Sequence, residues 1–267
     1  MGEKPLVSIV TVVYNGELWI ENCIKSVLNQ TYNNIEYIIV DGNSTDHTLE
    51  VINKYADKID KIVSEQDTGI YNAMNKGIAL SKGAYIGLLN ADDCYLPHTV
   101  ERVVDEFKGG GVDLVYGHMR EFVELTDRCL MKTVQSNLDE IKMRMSIFHP
   151  TIFVSREVYE KTQGYNEKYK IAADYEFVLH AIKCGFSFAK LNRVLTNFRL
   201  LGASSGNCIS IVECIQIMEE YETGFAIEYQ KRLLKCKVKN GLRFIFNLLI
   251  PEDVLIEWRE KNIRRKW

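Results

Sequence analysis

Short apolar runs alternate with amphipathic segments along the first hundred residues. The apolar runs are rich in β-branched residues, which is typical of strands buried on both faces. The segments between them carry apolar residues at helical spacing. Strands are predicted at 6–13, 35–40, 59–63 and 84–89. Helices are predicted at 17–30 and at 70–80, and a third, capped by residues 44–46, ends near 55. This alternation indicates βαβ units around a parallel sheet.

From about residue 100 the pattern of strands and helices is mixed. Strands are predicted at 113–116, 120–125, 130–134, 151–154, 186–191 and 194–200. Helices are predicted at 99–107, 138–145, 156–161 and 175–184. The spacing of isoleucine and glutamate from 208 to about 234 then predicts one long helix. Internal repeats and low-complexity segments are absent from the sequence.

Polar residues follow each of the first four predicted strands directly. The clusters are Tyr14-Asn15, Asp41-Gly42-Asn43, Glu65-Gln66-Asp67 and Asn90-Ala91-Asp92-Asp93. Each cluster alone is explained by a loop or a helix cap. In parallel sheets, however, ligands bind at the carboxyl ends of the strands. Four polar clusters at one sheet edge therefore favour a binding site.

The two adjacent acids in GLLNADDCYLP suit a site for a hard cation. If the strand geometry continues, Asn90 and Asp92 share one side and Asp93 faces the other. Magnesium is commonly held by one or two protein carboxylates together with substrate phosphates and water, and manganese accepts the same oxygen ligands. Asp92 alone would therefore suffice for a substrate that carries a diphosphate.

Three further acids have both a functional and a structural interpretation. Asp41 can accept a hydrogen bond from a nucleoside ring N–H or a ribose hydroxyl, or it can cap a helix. Asp67 is either a site residue or the cap of the helix that begins near 70. Asp174, in IAADYEFVLH, is either a general base or an acid that stabilises a helix start.

Composition limits the classes of protein and partner. The 267 residues carry a net charge of only −3, so we expect no nucleic-acid partner. Segment 231–267 holds eleven Lys and Arg against four Asp and Glu, a net of about +7. The seven cysteines form no CxxC pair, which favours buried thiols in a reducing cytosol over a disulfide or zinc framework. Neither a secretory signal nor a transmembrane run is visible.

Four segments taken together resemble the family 2 glycosyltransferases of the GT-A fold. They are SIVTVVYNGE, VDGNSTDHT, EQDTGIYNAMNKGIALSKGAYIGLLNADD and HPTIFVSREVYEKTQGYNEKYKIAADYEF, and the resemblance covers about 5–200. It is greatest for the bacterial group that builds capsule, colanic-acid-like and O-antigen repeat units. It implies an α/β fold with a Rossmann-like, mostly parallel central sheet flanked by helices. It also implies a glycosyltransferase domain at 1–204 and a helical extension at 205–267. Within the domain, residues 1–100 form the half that binds the nucleotide sugar and residues 101–204 the half that binds the acceptor.

The resemblance also implies an inverting transfer from a nucleotide diphosphate sugar, typically a UDP-sugar, to a glycan hydroxyl. Asp92 matches the acid that binds Mn²⁺ or Mg²⁺, and Asn90 replaces the usual first acid of that motif. Asp174 matches the catalytic base, and Asp41 the residue that recognises the base of the nucleotide. Other residues implied on the donor side are Thr11, Val13, Tyr14, Asn15, Asp67, Gly69, Asn75 and Ala91. His149 and Arg199 lie near the matched segments and are expected on the acceptor or diphosphate side, with a structural hydrogen bond for His149 and an ion pair for Arg199 as the alternatives. Strand alternation directs Asp93 away from Asp92, to the acceptor or to a structural hydrogen-bond donor. Ser204 and Ser205 belong to a loop expected to cover the donor.

The basic extension at 205–267 suggests where in the cell the protein is located. Lys and Arg beside Leu, Ile, Phe and Trp suit an interfacial helix on an anionic leaflet. Peripheral attachment to the cytoplasmic face of the plasma membrane would suit an acceptor linked to polyprenyl diphosphate. A packed helix with a solvated basic face, or a homodimer contact, is the alternative.

Three other functions remain as alternatives. An oxidoreductase or a sugar-phosphate nucleotidyltransferase would need a glycine-rich loop after the first strand, where the sequence reads VVYNGELW. A non-catalytic scaffold of the same fold would not need both Asp92 and Asp174.

Overall fold

The computed structural model describes residues 4–124, 129–200 and 208–249, of which 239–249 are described as backbone only. Within these residues nine strands form one sheet. The strands are β1 (Val7–Val13), β2 (Ile35–Asp41), β3 (Lys61–Ser64), β4 (Tyr85–Asn90), β5 (Cys94–Tyr95), β6 (Leu114–Glu124), β7 (Cys129–Val134), β8 (Phe153–Ser155) and β9 (Phe188–Arg199).

Helices flank this sheet on both faces. They are α1 (Ile20–Leu28), α2 (Thr48–Asn53), α3 (Ile70–Leu80), α4 (Thr99–Lys108), α5 (Arg156–Thr162), α6 (Ala173–Lys183), α7 (Ile209–Glu220) and α8 (Ala226–Leu249). Short 3₁₀ turns lie at 56–58, 138–140 and 149–151. The predicted helix at 138–145 is thus reduced to one 3₁₀ turn, whose start is capped when Asn137 Oδ1 accepts the Asp139 N–H.

The sheet has the strand order β3-β2-β1-β4-β8-β6-β9-β5, and β7 pairs with β6. Strands β1 to β4 are parallel, as the alternation of strands and helices predicts. Beyond β4 the sheet is mixed, because β8 runs antiparallel to β4 and to β6 while β6 and β9 are parallel. The two pairs of strands predicted at 113–125 and 186–200 are one strand each, β6 and β9, with an irregularity near Gly117.

Alternate residues of the parallel strands face two separate cores. Val10, Ile38 and Leu88 pack beneath α3, α5 and α6, whereas Ile9 and Ile39 pack beneath α1 and α4. Burial of each such side chain contributes about 1.5–3 kcal/mol. Because both faces are covered, the strands read as continuous apolar runs rather than as an alternation of apolar and polar residues.

The strand order reverses between β1 and β4, which lie side by side at the centre of the sheet. Chain connections leave this point in opposite directions, so a crevice opens beyond the carboxyl ends of the two strands. Helix α3 reaches the same edge by packing closely on β1. A Cβ atom on Gly77 would lie only 2.2 Å from Val10 Cγ1, so a glycine is needed at this contact.

The C-terminal part of the chain corrects two expectations. The single helix predicted from 208 to 234 is wrong, because α7 ends at Glu220 and α8 begins at Ala226. The backbone turns between them, with positive φ at Glu222 (50°) and at Gly224 (82°). The expected absence of a disulfide is also wrong. The helical hairpin brings Cys208 and Cys236 together, with their Cα atoms 6.0 Å apart, and they are bonded.

None of the helices in the described residues is both long and apolar enough to cross a membrane. The loop predicted to cover the donor, with Ser204 and Ser205, lies outside the described residues, and so does the arm beyond residue 249.

Candidate active site

A cleft of about 620 Å³ opens at the carboxyl edge of β1 and β4, a volume within the usual range for ligand sites. The loops after β1, β3 and β4, the 3₁₀ turn at 149–151 and the start of α6 contribute residues to its lining. Ten of the fifteen site residues predicted from the sequence line it: Val13, Tyr14, Asn15, Asp67, Gly69, Asn90, Ala91, Asp92, His149 and Asp174. The sequence thus predicts the position of the cleft and most of its polar lining.

The structure places the other five predicted residues away from the cleft lining, namely Thr11, Asp41, Asn75, Asp93 and Arg199. Thr11 faces the opposite core, where its hydroxyl lies 3.2 Å from the Tyr37 hydroxyl. Asn75 donates to the carbonyl of Tyr165 and accepts the N–H of the same residue, so it fixes the loop before α6.

Asp41 is fully buried at the end of β2. Its carboxylate accepts hydrogen bonds from the Ser44 N–H at 3.0 Å, the Ser44 hydroxyl at 2.5 Å and the Ser64 hydroxyl at 2.7 Å. These bonds join the ends of β2 and β3. Direct contact of Asp41 with a nucleotide would require this network to open, so the geometry gives Asp41 the role of shaping the loop that follows it.

A turn closes immediately after β4 and separates the two adjacent acids. The Asp93 N–H donates to the Asn90 carbonyl at 3.1 Å, so the strand geometry assumed from the sequence does not persist past Asn90. Asn90 and Asp92 line the cleft. Asp93 is fully buried on the other side, where its Oδ1 accepts the backbone N–H of Arg199 at 3.1 Å. It is the turn that aims the two carboxylates apart.

Asn90 and Asp92 together offer oxygen ligands to a cation. Burial raises the pKa of Asp92, and the Asn90 Oδ1 atom is buried without a hydrogen-bond partner in the described residues. A hard cation would offset the burial of the Asp92 carboxylate and would give the Asn90 Oδ1 atom a partner. No group of three or more His, Cys, Asp and Glu in the described part of the chain is arranged to hold a metal. One carboxylate and one amide oxygen nevertheless fit Mg²⁺ or Mn²⁺ when a diphosphate completes the coordination.

Asp174 lies in the first turn of α6 and lines the same cleft as Asp92. Its Oδ1 accepts the Tyr175 N–H at 2.9 Å and lies 3.2 Å from the Tyr71 hydroxyl. Ala172 at the N-cap position has no side chain that can cap the helix, and Asp174 binds an N–H of the first turn, so Asp174 also stabilises the start of α6. Burial raises the pKa of Asp174 to about 6, while the bonds from Tyr175 and Tyr71 oppose that rise. A carboxylate with such a pKa is suited to take a proton at neutral pH.

The loop after β1 presents an exposed aromatic ring to the cleft. Tyr14 is 62% exposed although it follows a fully buried strand. Asn15 next to it has a positive φ of 51°. The Asn15 N–H donates to the Ser44 hydroxyl at 2.8 Å, and its Oδ1 accepts the Thr45 N–H at 2.8 Å. The Tyr14 ring is thus held at the cleft mouth by a loop that is itself anchored.

Asp67 and Gly69 form the neighbouring wall of the cleft. Asp67 Oδ1 accepts the Gly69 N–H at 2.9 Å, and Gly69 is the N-cap residue of α3. Gly69 has a φ of 136°, which favours glycine. A Cβ atom on Gly42 would lie 2.5 Å from Asp67 Oδ2, so the loop after β2 must approach closely here.

His149 and Arg199 were both predicted on the acceptor side, and the structure separates them. His149 lines the cleft, its Nε2 has no partner in the described residues, and burial lowers its pKa to about 4. It is therefore a neutral hydrogen-bonding group at pH 7. Arg199 stacks on Trp19, with its guanidinium carbon 3.2 Å from the ring centroid, and pairs with Glu124 at 2.7 Å. Arg199 is not among the lining residues, but its charge reaches the cleft, because it stacks on Trp19 of the lining and opposes the rise in the pKa of Asp92.

Several residues that the sequence analysis missed also line the cleft. They include Trp19, Tyr71, Met119, Lys170 and Phe198. Tyr71 stands in the matched segment EQDTGIYNAMNKG, so its position two residues after Gly69 was a usable signal. Lys170 stands in the matched segment four residues before Asp174, so its position was a usable signal as well. Phe198 reaches the cleft only through the tertiary fold, and nothing in its neighbouring residues marks it.

Comparisons with known proteins agree with this geometry. The model of the family described as "Glycosyl transferase family 2" matches residues 8–162, which is more than half of the chain. A chondroitin synthase of Pasteurella multocida is 35% identical over 205 residues, which cover 74% of this chain and 21% of that protein. The chain thus spans about a fifth of that relative. A PGL/p-HBAD biosynthesis glycosyltransferase of Mycobacterium tuberculosis is 31% identical over 186 residues, covering 65% of this chain and 68% of the relative.

Solved structures share the fold at low sequence identity. TarS 1–349 of S. aureus in complex with UDP-GlcNAc gives a TM-score of 0.65 at 16% identity, covering 93% of this chain and 77% of that one. The mannosyltransferase PcManGT of Pyrobaculum calidifontis, in complex with GDP-Man and Mn²⁺, gives a TM-score of 0.66 at 14% identity, covering 99% and 81%. The chain therefore has the GT-A fold.

Proposed function

The chain belongs to glycosyltransferase family 2, and from that premise we propose that it transfers a sugar from a nucleotide diphosphate sugar to a hydroxyl group of a glycan, with inversion at the anomeric carbon. One observation carries the proposal. A single cleft is lined both by Asp92, an acid suited to a cation, and by Asp174, an acid whose pKa is about 6. Donor activation and proton removal need these two different kinds of carboxylate.

The donor would lie along the loops after β1, β3 and β4. The exposed Tyr14 ring can stack on the nucleobase, and Asp67 and the backbone at Gly69 flank the nucleoside. A UDP-sugar is the proposed donor, supported by the UDP-GlcNAc named for one neighbour and by the UDP named for a further TarS structure. GDP-Man in the other neighbour makes a guanine nucleotide the alternative for the same test.

The charge of the cleft supports a role for a divalent cation. Asp67, Asp92 and Asp174 line it, and Lys170 is the one Lys or Arg among its lining residues in the described part of the chain. A donor diphosphate would meet repulsion here without a counter-charge. Asp92 and Asn90 would hold Mn²⁺ or Mg²⁺. When bound, that ion supplies neutralisation of the charge that grows on the departing nucleoside diphosphate.

Asp174 would act on the acceptor. Its carboxylate removes the proton of the acceptor hydroxyl as that oxygen bonds to the anomeric carbon. The bond from that carbon to the diphosphate oxygen breaks on the opposite face, so the configuration inverts and the nucleoside diphosphate leaves with the bonding electrons. A neutral His149 in the same cleft can orient the acceptor through its Nε2 atom.

A panel of nucleotide sugars tests this proposal. We expect one nucleotide class, with Mn²⁺ present, to raise the melting temperature of the chain and to release nucleoside diphosphate over time. Stabilisation follows RT ln(1 + [L]/Kd) and reaches about 2.7 kcal/mol at a hundredfold excess over Kd. Nucleoside monophosphates and free sugars serve as controls. A chain that binds a nucleotide sugar yet never transfers its sugar would instead be a scaffold, and the proposal would fail.

We further propose that α8 attaches the enzyme to the cytoplasmic face of the plasma membrane, where a lipid-linked glycan acceptor would be reached. Ile227, Leu234 and Val238 are exposed and recur at helical spacing along α8. Lys231 and Lys235 lie between them on the exposed side. Apolar side chains flanked by basic ones suit an anionic leaflet.

We expect the chain to sediment with vesicles that contain anionic lipid and not with neutral vesicles. Each basic residue near such a surface contributes about 1 kcal/mol, so the double change Lys231→Glu and Lys235→Glu should weaken binding by tenfold or more. The same change at the exposed Lys58 and Lys61 is the matched control. Equal sedimentation of both variants would refute attachment through α8, and a concentration-dependent dimer that buries α8 would assign this surface to a second copy.

A further inference from the structure

The segment 170–172 connects the cleft to the helix that carries the proposed base. Lys170 and Ile171 line the cleft, and Ala172 is the N-cap residue of α6. Asp174 follows two residues later, so any displacement of the segment displaces its carboxylate. What holds this segment therefore also sets where the base lies.

Glu213 of α7 binds all three backbone N–H groups of the segment. Its Oε1 accepts the Lys170 N–H at 2.7 Å, and its Oε2 accepts those of Ile171 at 2.8 Å and Ala172 at 2.9 Å. The Glu213 side chain is only 7% exposed. Hydrogen bonds to an ionised acceptor are short and about twice as strong as neutral ones, and successive N–H groups that converge in this way form an anion-binding concavity.

We propose that Glu213 is a positioning residue for the transfer reaction, which fixes Asp174 by holding the segment 170–172 through its three backbone N–H groups. The inference rests on the proposed function, in which Asp174 is the base. It assigns a role in the active site to α7, which lies outside residues 8–162 of the family match.

The other side of the segment is held from α3. The Tyr71 hydroxyl donates to the Ile171 carbonyl at 2.7 Å and lies 3.2 Å from Asp174 Oδ1. Glu213 thus binds the N–H groups of the segment while Tyr71 binds a carbonyl of it. Together these bonds restrain the segment that carries Asp174 from both sides. Misplacement of a reacting group by about 1 Å can cost ~10² in rate, even when the mutated residue does not touch substrate.

Glu213 also contributes to the charge that Asp174 experiences. The groups that interact electrostatically with Asp174 from the surrounding elements are Tyr71, Tyr165, Glu213 and Cys214, with Lys170 nearby in the segment itself. The negative charge of Glu213 adds to the raised pKa of Asp174, although burial is the larger cause. Removing that charge lowers the pKa of Asp174, and so does any loosening that admits water to it.

The change Glu213→Gln tests this role, because glutamine keeps the size of the side chain but has one oxygen and an NH₂ group that cannot accept an N–H. We expect kcat to fall about tenfold to a hundredfold while the Kd for the nucleoside diphosphate stays within twofold. The acid limb of kcat/KM should move to lower pH, and amide hydrogen exchange at 170–172 should accelerate. Glu219→Gln, which removes the same charge from an exposed position of α7, should change none of these.

Glu213→Asp is the second variant, because it keeps the charge and both oxygens on a shorter side chain. It should recover part of the lost exchange protection and rate, which a general loss of folding would not do. The inference is overturned if the wild-type chain transfers sugar and Glu213→Gln matches Glu219→Gln in rate, pH limb and exchange. A wild-type chain that transfers no sugar from any donor would overturn the proposed function as well, so the two failures are distinguishable.

Discussion

Replacing Asp174 by asparagine should slow sugar transfer strongly while leaving binding of the donor nucleotide intact. Asparagine keeps the shape of the side chain, and its Oδ1 can still accept the Tyr175 N–H, so the start of α6 should not move. It cannot take a proton from an acceptor hydroxyl. A base in this position contributes ~10²–10⁴ in rate, so kcat should fall by at least a hundredfold.

The measurement is release of nucleoside diphosphate in the presence of acceptor, with binding followed separately by thermal stabilisation. Asp105→Asn on α4, which removes an exposed acid far from the cleft lining, is the matched control. Equal turnover in Asp174→Asn and in this control would show that another group removes the proton.

The pH dependence of the wild-type enzyme is a second test of the role of Asp174. Burial raises the pKa of Asp174 to about 6, and the ionised form is the one that accepts a proton. The rate constant kcat/KM should therefore be constant above the pKa and fall tenfold per pH unit below it. This fall in kcat/KM at acid pH should be absent from the residual activity of Asp174→Asn. A wild-type limb near pH 4, the ordinary range of an aspartate, would contradict the assignment.

The parallel half of the sheet and the position of the cleft could be predicted because their signals are local. Strands β1, β2 and β4 are covered on both faces, and that leaves continuous apolar runs in the sequence, whereas β3 at the sheet edge is only half-buried. The polar residues that follow those runs meet at one edge for a purely topological reason. Asn90 and Asp92 therefore appear in the cleft as soon as the strand order is known.

Other features depend on contacts between distant parts of the chain and leave no local pattern. Glu213 meets Lys170 only because α7 packs beside α6, across 43 residues of sequence. Asp41 was predicted to meet a nucleotide, but the fold places Ser64 of the next strand within 2.7 Å of it. The break between α7 and α8 lies at Gly224, which has a positive φ. One glycine does not interrupt the helical spacing of the apolar residues around it, so the sequence pattern did not reveal the break.

The largest difference between neighbouring residues is expected at Asp92 and Asp93. Asp92→Ala should abolish metal-dependent transfer without unfolding the chain, because its side chain lines the cleft and its carboxylate is the proposed ligand of the cation. Rates measured against Mn²⁺ concentration should show no saturable rise. Thermal stability in the absence of metal should match the wild type or exceed it, since a half-buried acid is removed.

Asp93→Ala should lower folding stability and leave the metal dependence of transfer unchanged. Burial and the neighbouring charge of Asp92 raise the pKa of Asp93 well above its usual range, and its Oδ1 accepts the Arg199 N–H. Removing that acceptor leaves a buried donor unsatisfied and should cost about 1–3 kcal/mol of folding stability. Denaturant titration measures that loss, while the Mn²⁺ dependence of the remaining activity should be that of the wild type. If both alanine variants lost metal dependence alike, the turn after β4 would not separate the two acids as described, and Asp93 would share the cation site.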